Sequence, residues 1–238
     1  MNLFGLKKKK DENFELNLIN YFNSKNIYPN PVQLLLPEAV GLLNINENWK
    51  GILTNCSRKE RVHKTIELWK ESTSQFSKII DVFKSKLISI DTILYNKELY
   101  VVYSLKAYDG LIYYLGKLPR ESYENSIMNK LPKEIQDFYL HIHDGFILFP
   151  DECMGPVSSD KFYCLGDDLL QSEFLDDYSV KDTYMIFSNG GGDGIVYDLS
   201  QNPPKGFTYF HGNYEDCDFE NNPIDVMCEW MKIGLNGE

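Results

Sequence analysis

Apolar positions along this chain recur at helical spacings in some stretches and gather into short β-rich runs in others, and the switch between them outlines its elements. Phe14, Leu16, Leu18, Ile19 and Phe22 fall at weakly helical intervals over residues 14–24, behind a lysine run at Lys7–Lys10 that reads as a solvated tail or helix start. Three prolines between Asn26 and Pro37 predict an irregular connection. Ser57, with Glu60 three residues on, has the pattern of an N-cap. A helix is predicted from there to about Lys84, with Val62, Ile66, Trp69, Phe76, Ile79, Ile80 and Phe83 on one buried face. Three short β-rich runs follow. Ile88–Tyr95, Leu99–Tyr108 and Leu111–Gly116 read as strands of an antiparallel meander, turning at Asn96-Lys97 and Asp109-Gly110.

After Pro119 the pattern changes again. Pro132 opens a predicted helix over 131–143, with Leu131, Ile135, Phe138, Tyr139 and Ile142 on one face and Asp144-Gly145 ending it. Residues 151–182 are loop-rich and acidic. Thr183–Ser188 and Gly194–Leu199 read as two strands joined around Asn189–Asp193, Gly206–His211 as a further strand, and Pro223–Leu235 as a closing helix with Ile224, Met227, Cys228, Trp230 and Met231 facing inward. Strands in runs with flanking helices predict an α+β fold, a mostly antiparallel sheet flanked by helices.

The 238 residues are 43% hydrophobic, which suits a packed core and excludes wholesale disorder. No apolar run approaches the roughly 18 residues of a membrane-spanning helix. The opening MNLFGLKKKK reverses the order of a secretory signal, so a cytoplasmic location is expected. Five cysteines, Cys56, Cys153, Cys164, Cys217 and Cys228, are widely spaced without a C-x-x-C pair, a pattern of reduced, mostly buried thiols rather than a disulfide or zinc framework.

Charge adds a division that periodicity does not show. The net charge of −11 sums a front part, residues 1–130, at +5 and a rear part, residues 131–238, at −16. An overall acidic chain is a poor nucleic-acid binder. The asymmetry instead indicates an electrostatic partner, because five cations among twenty-one anions in the rear part leave many carboxylates without a counterpart there.

Local motifs offer little catalytic chemistry. The segment Ser188–Gly194 is glycine-rich, but Ile195-Val196 follow where a phosphate-binding loop needs Lys-Ser/Thr, and a strand follows where a dinucleotide fingerprint needs a helix; a hairpin turn is the better account. His141 and His143, two apart on a helix, point about 200° from one another and cannot share a metal; a place near the helix's negative end is simpler. Neither acidic cluster, Asp167–Asp182 or Glu215–Glu220, carries the glycine an EF-hand needs. There is no G-x-S-x-G elbow and no H-E-x-x-H, and the sixteen tyrosines read as core and sheet-face packing. No residue pattern calls for a cofactor, a metal or a catalytic group.

The rear part resembles a known family. Leu131-Pro132, Ile135, Phe138-Tyr139 and Asp144-Gly145-Phe146 resemble the helix that opens the core of the SUKH superfamily, and Ile186-Phe187-Ser188 with Gly192-Asp193 and Tyr197-Asp198-Leu199 resemble its hairpin. The final helix with Trp230 takes the place of the family's closing helix. The likeness spans about residues 120–235, which divides the chain into an N-terminal α+β region, 1–118, either a unit of its own or part of the same domain, and a SUKH-like domain, 119–238. It implies an α+β fold and, as in many bacterial members, an immunity protein that neutralises a polymorphic toxin; the family has no common catalytic residues. The expectation is non-catalytic binding of a cognate toxin domain, a basic nuclease, through an acidic surface. Candidate contacts are Asp167, Asp168, Asp176, Asp177, Glu215, Asp216, Asp218 and Glu220, with Tyr178 and Tyr214 as aromatic anchors. Nucleic acid and membrane are not expected as partners. A regulatory or scaffold module is the alternative, and a carboxylate-based hydrolase a weaker one.

Overall fold

A computed structural model of the chain describes residues 3–26, 29–72, 74–123, 127–167, 178–212 and 217–237, with the backbone alone for residues 3–13. In chain order the elements are α1 (Leu3–Lys25), β1 (Gln33–Leu35), α2 (Pro37–Gly41), α3 (Glu47–Leu53), α4 (Arg58–Ser72), α5 (Ser77–Lys86), β2 (Leu87–Tyr95), β3 (Glu98–Ala107) and β4 (Gly110–Lys117). There follow α6 (Lys133–Asp137), β5 (Phe146–Phe149), β6 (Gly155–Pro156), β7 (Tyr163–Cys164), β8 (Thr183–Ser188), β9 (Gly194–Asp198), β10 (Lys205–Tyr209) and α7 (Pro223–Asn236). The fold is α+β, with two antiparallel sheets and helices packed against them.

The first sheet has the order β1-β2-β3-β4-β5. Its meander forms where the β-rich runs predict, and Asn96 and Lys97 both hold positive φ, 48° and 66°, as a two-residue hairpin turn between right-twisted strands requires. Alternation sorts the side chains cleanly. Ile90, Val101, Tyr103, Leu105, Tyr114 and Phe146 enter the main core, while Ile93, Tyr95, Val102, Tyr113, Leu115 and Phe149 form a second core. Leu18 and Phe22 of α1 cover that second face, the Phe22 ring stacking on Phe149 at 4.5 Å. The irregular connection expected over 26–37 contains β1, which pairs with Thr92–Leu94.

This sheet crosses the expected boundary at residue 118, since β5 pairs with β4 through Tyr113↔Phe149 to Gly116↔Phe146. The main core likewise mixes residues from Val40 to Leu235. A single helix from Ser57 to Lys84 does not form: α4 ends at Ser72, residue 73 lies outside the described residues, and a short 3₁₀ turn at Ser74–Phe76 precedes α5. Serine hydroxyls compete in general with helical backbone bonds, and Ser72 and Ser74 stand on either side of the interruption. Ser57 does cap, its Oγ accepting from Glu60 N at 3.4 Å. The buried stripe of α4 is rotated by one residue from the apolar reading, to Arg61, Thr65, Leu68 and Trp69.

The second sheet runs β10-β9-β8-β6, with β7 also on β8. The glycine-rich segment is the β8–β9 hairpin turn, with φ of 89° at Gly190 and 97° at Gly192, values that a side chain would strain. The helix predicted over 131–143 is α6 followed by a π-helical turn at Phe138–Ile142. Trp69, Phe76, Phe138, Tyr139 and Phe146 pack around it without exposure, each contributing about 2–3 kcal/mol by burial. Among the described residues no helix is long and apolar enough to cross a membrane.

Candidate protein-docking face

The second sheet presents two faces, and each has its own core. From β8 and β9, Ile186, Phe187, Ile195 and Tyr197 turn toward the main core. Met185, Val196, Phe207 and Tyr209 turn the other way and build a small separate cluster. A register shift between Met185 and Phe187 lets Ile186 and Phe187 both serve the inner side.

Two acidic segments, far apart in sequence, are tied to this outer cluster by the apolar residues that flank them. Leu165 precedes the first segment, Tyr178 and Val180 lie near its end, and Cys217 and Phe219 lie in the second. The rings of Tyr178 and Phe219 each approach Phe207 to 4.6 Å, and stand 6.0 Å from one another. Asp218 is held by a bridge to β10, exchanging both backbone bonds with Thr208 at 3.0 Å. Its carboxylate caps the following turn, accepting from Asn221 Nδ2 at 2.6 Å and from the Glu220 and Asn221 amides. The Asn221 bonds hold the Asp218 carboxyl below the usual range, so it stays charged.

Of the expected contacts, Asp167 and Glu220 are exposed and Asp218 is half-buried. None of these three forms an ion pair among the described residues. Asp168, Asp176, Asp177, Tyr214, Glu215 and Asp216 lie outside the described residues. Tyr178 is corrected: it is only 8% exposed, its ring fills the space between Phe207 and Phe219, and it anchors the loop instead of presenting a surface. Lys205 lies on this cluster too, its Nζ 4.2 Å over the Phe219 ring.

Elsewhere the rear carboxylates are engaged within the molecule, more than the composition implied. Front-part cations reach across: Lys78 pairs with Glu229 at 2.7 Å, Arg120 with Asp144 at 2.8 Å, and Lys117 with Asp160 at 3.5 Å. Burial pushes the Asp160 carboxyl up, but the bond from Ser158 and the charges of Lys117 and Arg120 together bring it below its ordinary value. Asp198 is fully buried and accepts from Ser179 N, Ser200 N, Ser200 Oγ and Gln201 Nε2. Burial again acts upward on its carboxyl, and these bonds outweigh it. Asp193 holds the hairpin turn through Asn189 Nδ2 and the His211 amide.

The histidine pair is split. Both sit at the helix's negative end as expected, His141 exposed in the last turn and His143 buried as the C-terminal cap of the π-helical turn. Its ring stacks on Trp49 at 4.7 Å, and Nε2 and Nδ1 face Tyr103 Oη at 2.7 Å and Lys117 O at 3.1 Å. Trp69 Nε1 donates to the same Tyr103 hydroxyl at 2.9 Å. Tyr103 therefore donates to Nε2, and Nδ1–H donates to the carbonyl, which fixes the neutral tautomer. Burial pushes the His143 ring down to about 3, so it carries no charge to offer a helix end. Gly116 leaves room for it; a Cβ there would come within 2.4 Å of the imidazole. This network escaped the sequence reading, and its signal is the aromatic set Trp49, Trp69, Tyr103 and Phe146 surrounding one histidine.

Cys153, Cys217 and Cys228 are buried and Cys56 is exposed, all of them free thiols. Burial pushes the Cys228 thiol up to about 12, and the Cys153 thiol is raised by burial and by Asp151. Among the described residues no three His, Cys, Asp or Glu side chains are grouped to hold a metal ion. Compared with protein-family models, curated proteins and solved structures, the chain matches none.

Proposed function

We propose that this chain is a non-catalytic binding protein whose outer second-sheet face docks a basic protein domain. One observation carries the reading: two acidic segments about forty residues apart in sequence are anchored side by side on one apolar cluster, through Tyr178 and Phe219 against Phe207. A dense negative field on a rigid sheet face speeds encounter with a cationic surface and supplies charge-assisted hydrogen bonds to Arg and Lys. Asp167 and Glu220 are free of the internal pairs that occupy Asp144, Asp160 and Glu229. They remain available to a partner.

The partner we infer is a bacterial toxin domain of the basic, nuclease type, which must be cationic where it grips phosphate. The resemblance of residues 120–235 to the SUKH superfamily favours that choice, with α6, the β8–β9 hairpin and α7 as the elements that carry it. Such an immunity protein acts in the cytoplasm. Co-expression with the product of the adjacent upstream gene tests the proposal. Rescued growth and a co-purifying complex are expected; toxicity unrelieved by the chain, with no complex, would remove the immunity reading.

A further inference from the structure

A cavity of about 640 Å³ lies where β1 leaves the first sheet, bounded by α1, the β1–α2 segment, the start of α4 and the early part of β2. That volume falls in the range of small-molecule sites, roughly 300–1,000 Å³. It is remote in sequence and in elements from the acidic face. β1 pairs only with Thr92–Leu94, so the first residues of β2, bonded to β3 on one side, run beside the cavity with no strand on the other among the described residues.

The cavity has an apolar wall and a cationic floor. Leu34, Leu36, Leu53, Val62, Leu87 and Ile88 form the wall. Leu36 and Ile88 are 54% and 41% exposed, which is unusual for two large aliphatic side chains facing one hollow. The floor holds Arg61, only 7% exposed. Its Nε donates to Ile90 O at 2.6 Å, Nη1 to Asn55 O at 2.8 Å and Nη2 to Asp91 Oδ1 at 2.8 Å. A guanidinium has five N–H donors. One N–H on each terminal nitrogen is therefore left without an acceptor among the described residues, in a buried group where an unmade bond is costly.

With Arg61 counted against Asp91, the charges lining the cavity balance among the described residues. Glu15 faces Arg58 at 3.7 Å, Asp91 is taken by Arg61 and Ser89, and the exposed Lys59 and Glu38 offset one another. The spare Arg61 donors thus make a directional demand for acceptor atoms next to aliphatic surface. A carboxylate offers two oxygens to two guanidinium N–H groups.

We propose that this cavity binds a small aliphatic carboxylate, its headgroup on the spare Arg61 donors and its chain along the leucine-rich wall. Titration calorimetry on the full chain with octanoate, octan-1-ol and acetate tests it. Octanoate is expected to bind about tenfold or more tightly than octan-1-ol, the preference of a charged acceptor over a neutral one, and acetate to give no measurable heat. Ile88→Trp, at a partly exposed position on the wall, fills the cavity and should lower octanoate affinity about tenfold or more with thermal unfolding unchanged. Arg61→Lys keeps a charge for Asp91 but lacks the planar fork, and should bring octanoate down to the level of octan-1-ol; if this variant does not fold, the wild-type contrast and Ile88→Trp decide. No heat with octanoate at millimolar concentration, equal affinity for octan-1-ol, or unchanged binding in Ile88→Trp would overturn the assignment.

Discussion

Carboxylates occupy two contrasting settings in this molecule. At the seam where the rear part meets the first sheet, Asp144 and Asp160 are matched to Arg120 and Lys117, and Asp198 is enclosed by four hydrogen bonds beneath the second sheet's last turn. On the outer face of that sheet, Asp167 and Glu220 are solvent-exposed and form no ion pair among the described residues. The same residue types thus do opposite work. Enclosed acids fix backbone, and their loss is felt in folding. Rim acids contribute little to folding and shape the field a partner meets.

The comparison breaks most visibly at Asp198. Asp198→Ala leaves the Ser179 and Ser200 amides unpaired, and should cost about 3 kcal/mol of folding free energy in urea denaturation. A loss under about 1 kcal/mol would mean that water replaces the carboxylate and that the enclosed setting is no different from the rim.

Next comes the buried network on the other side of the seam. Tyr103→Phe removes the hydroxyl that joins Trp69 Nε1 to His143 Nε2, and should cost about 2 kcal/mol by the same measurement. His143 also makes stability depend on pH. Its ring titrates at about 3 when folded, against about 6.5 when unfolded, so between these values the unfolded chain binds the additional proton. Stability should therefore fall as pH drops below about 6.5, by about 2 kcal/mol at pH 5. The lowered carboxyls of Asp160, Asp198 and Asp218 act in a lower window, losing their contribution only below their unfolded values near 3.8. His143→Gln should flatten the slope between pH 6.5 and 5; an unchanged slope would place the titrating group elsewhere.

These sites differ in how much of them a sequence can announce. The meander was legible because β2, β3 and β4 are short runs rich in β-branched and aromatic residues, and Asn96-Lys97 has turn chemistry. The hairpin around Gly190–Gly192 was legible because a strand, not a helix, follows it. The break near residue 73 was not, since a continuous apolar period runs across it. Nor was the buried arginine on α4: Arg61 turns inward because Ile90 O and Asp91 wait at the β2 edge, a tertiary fact with no local trace. The acidic clusters were visible as composition. Which acids are consumed at the seam depended on cations contributed by the front part, at Lys78, Lys117 and Arg120. Tyr178 looked like a surface anchor beside acids, but Val196, Phe207 and Phe219 gave its ring a buried place.

The smallest expected effect on folding belongs to the rim. Asp167→Lys with Glu220→Lys should shift folding free energy by no more than about 0.5 kcal/mol, because both side chains are exposed. A large loss would make them structural, and the contrast with Asp198 would vanish.

The same double variant gives the most direct test of the docking face. Association rates with the basic domain that the co-expression experiment isolates, measured by stopped flow from low to high salt, should be about tenfold lower for the variant at low salt and should converge with wild type as salt screens the field. Equal rates at every ionic strength, with a complex still forming, would contradict the assignment of this acidic face as the place where the partner lands.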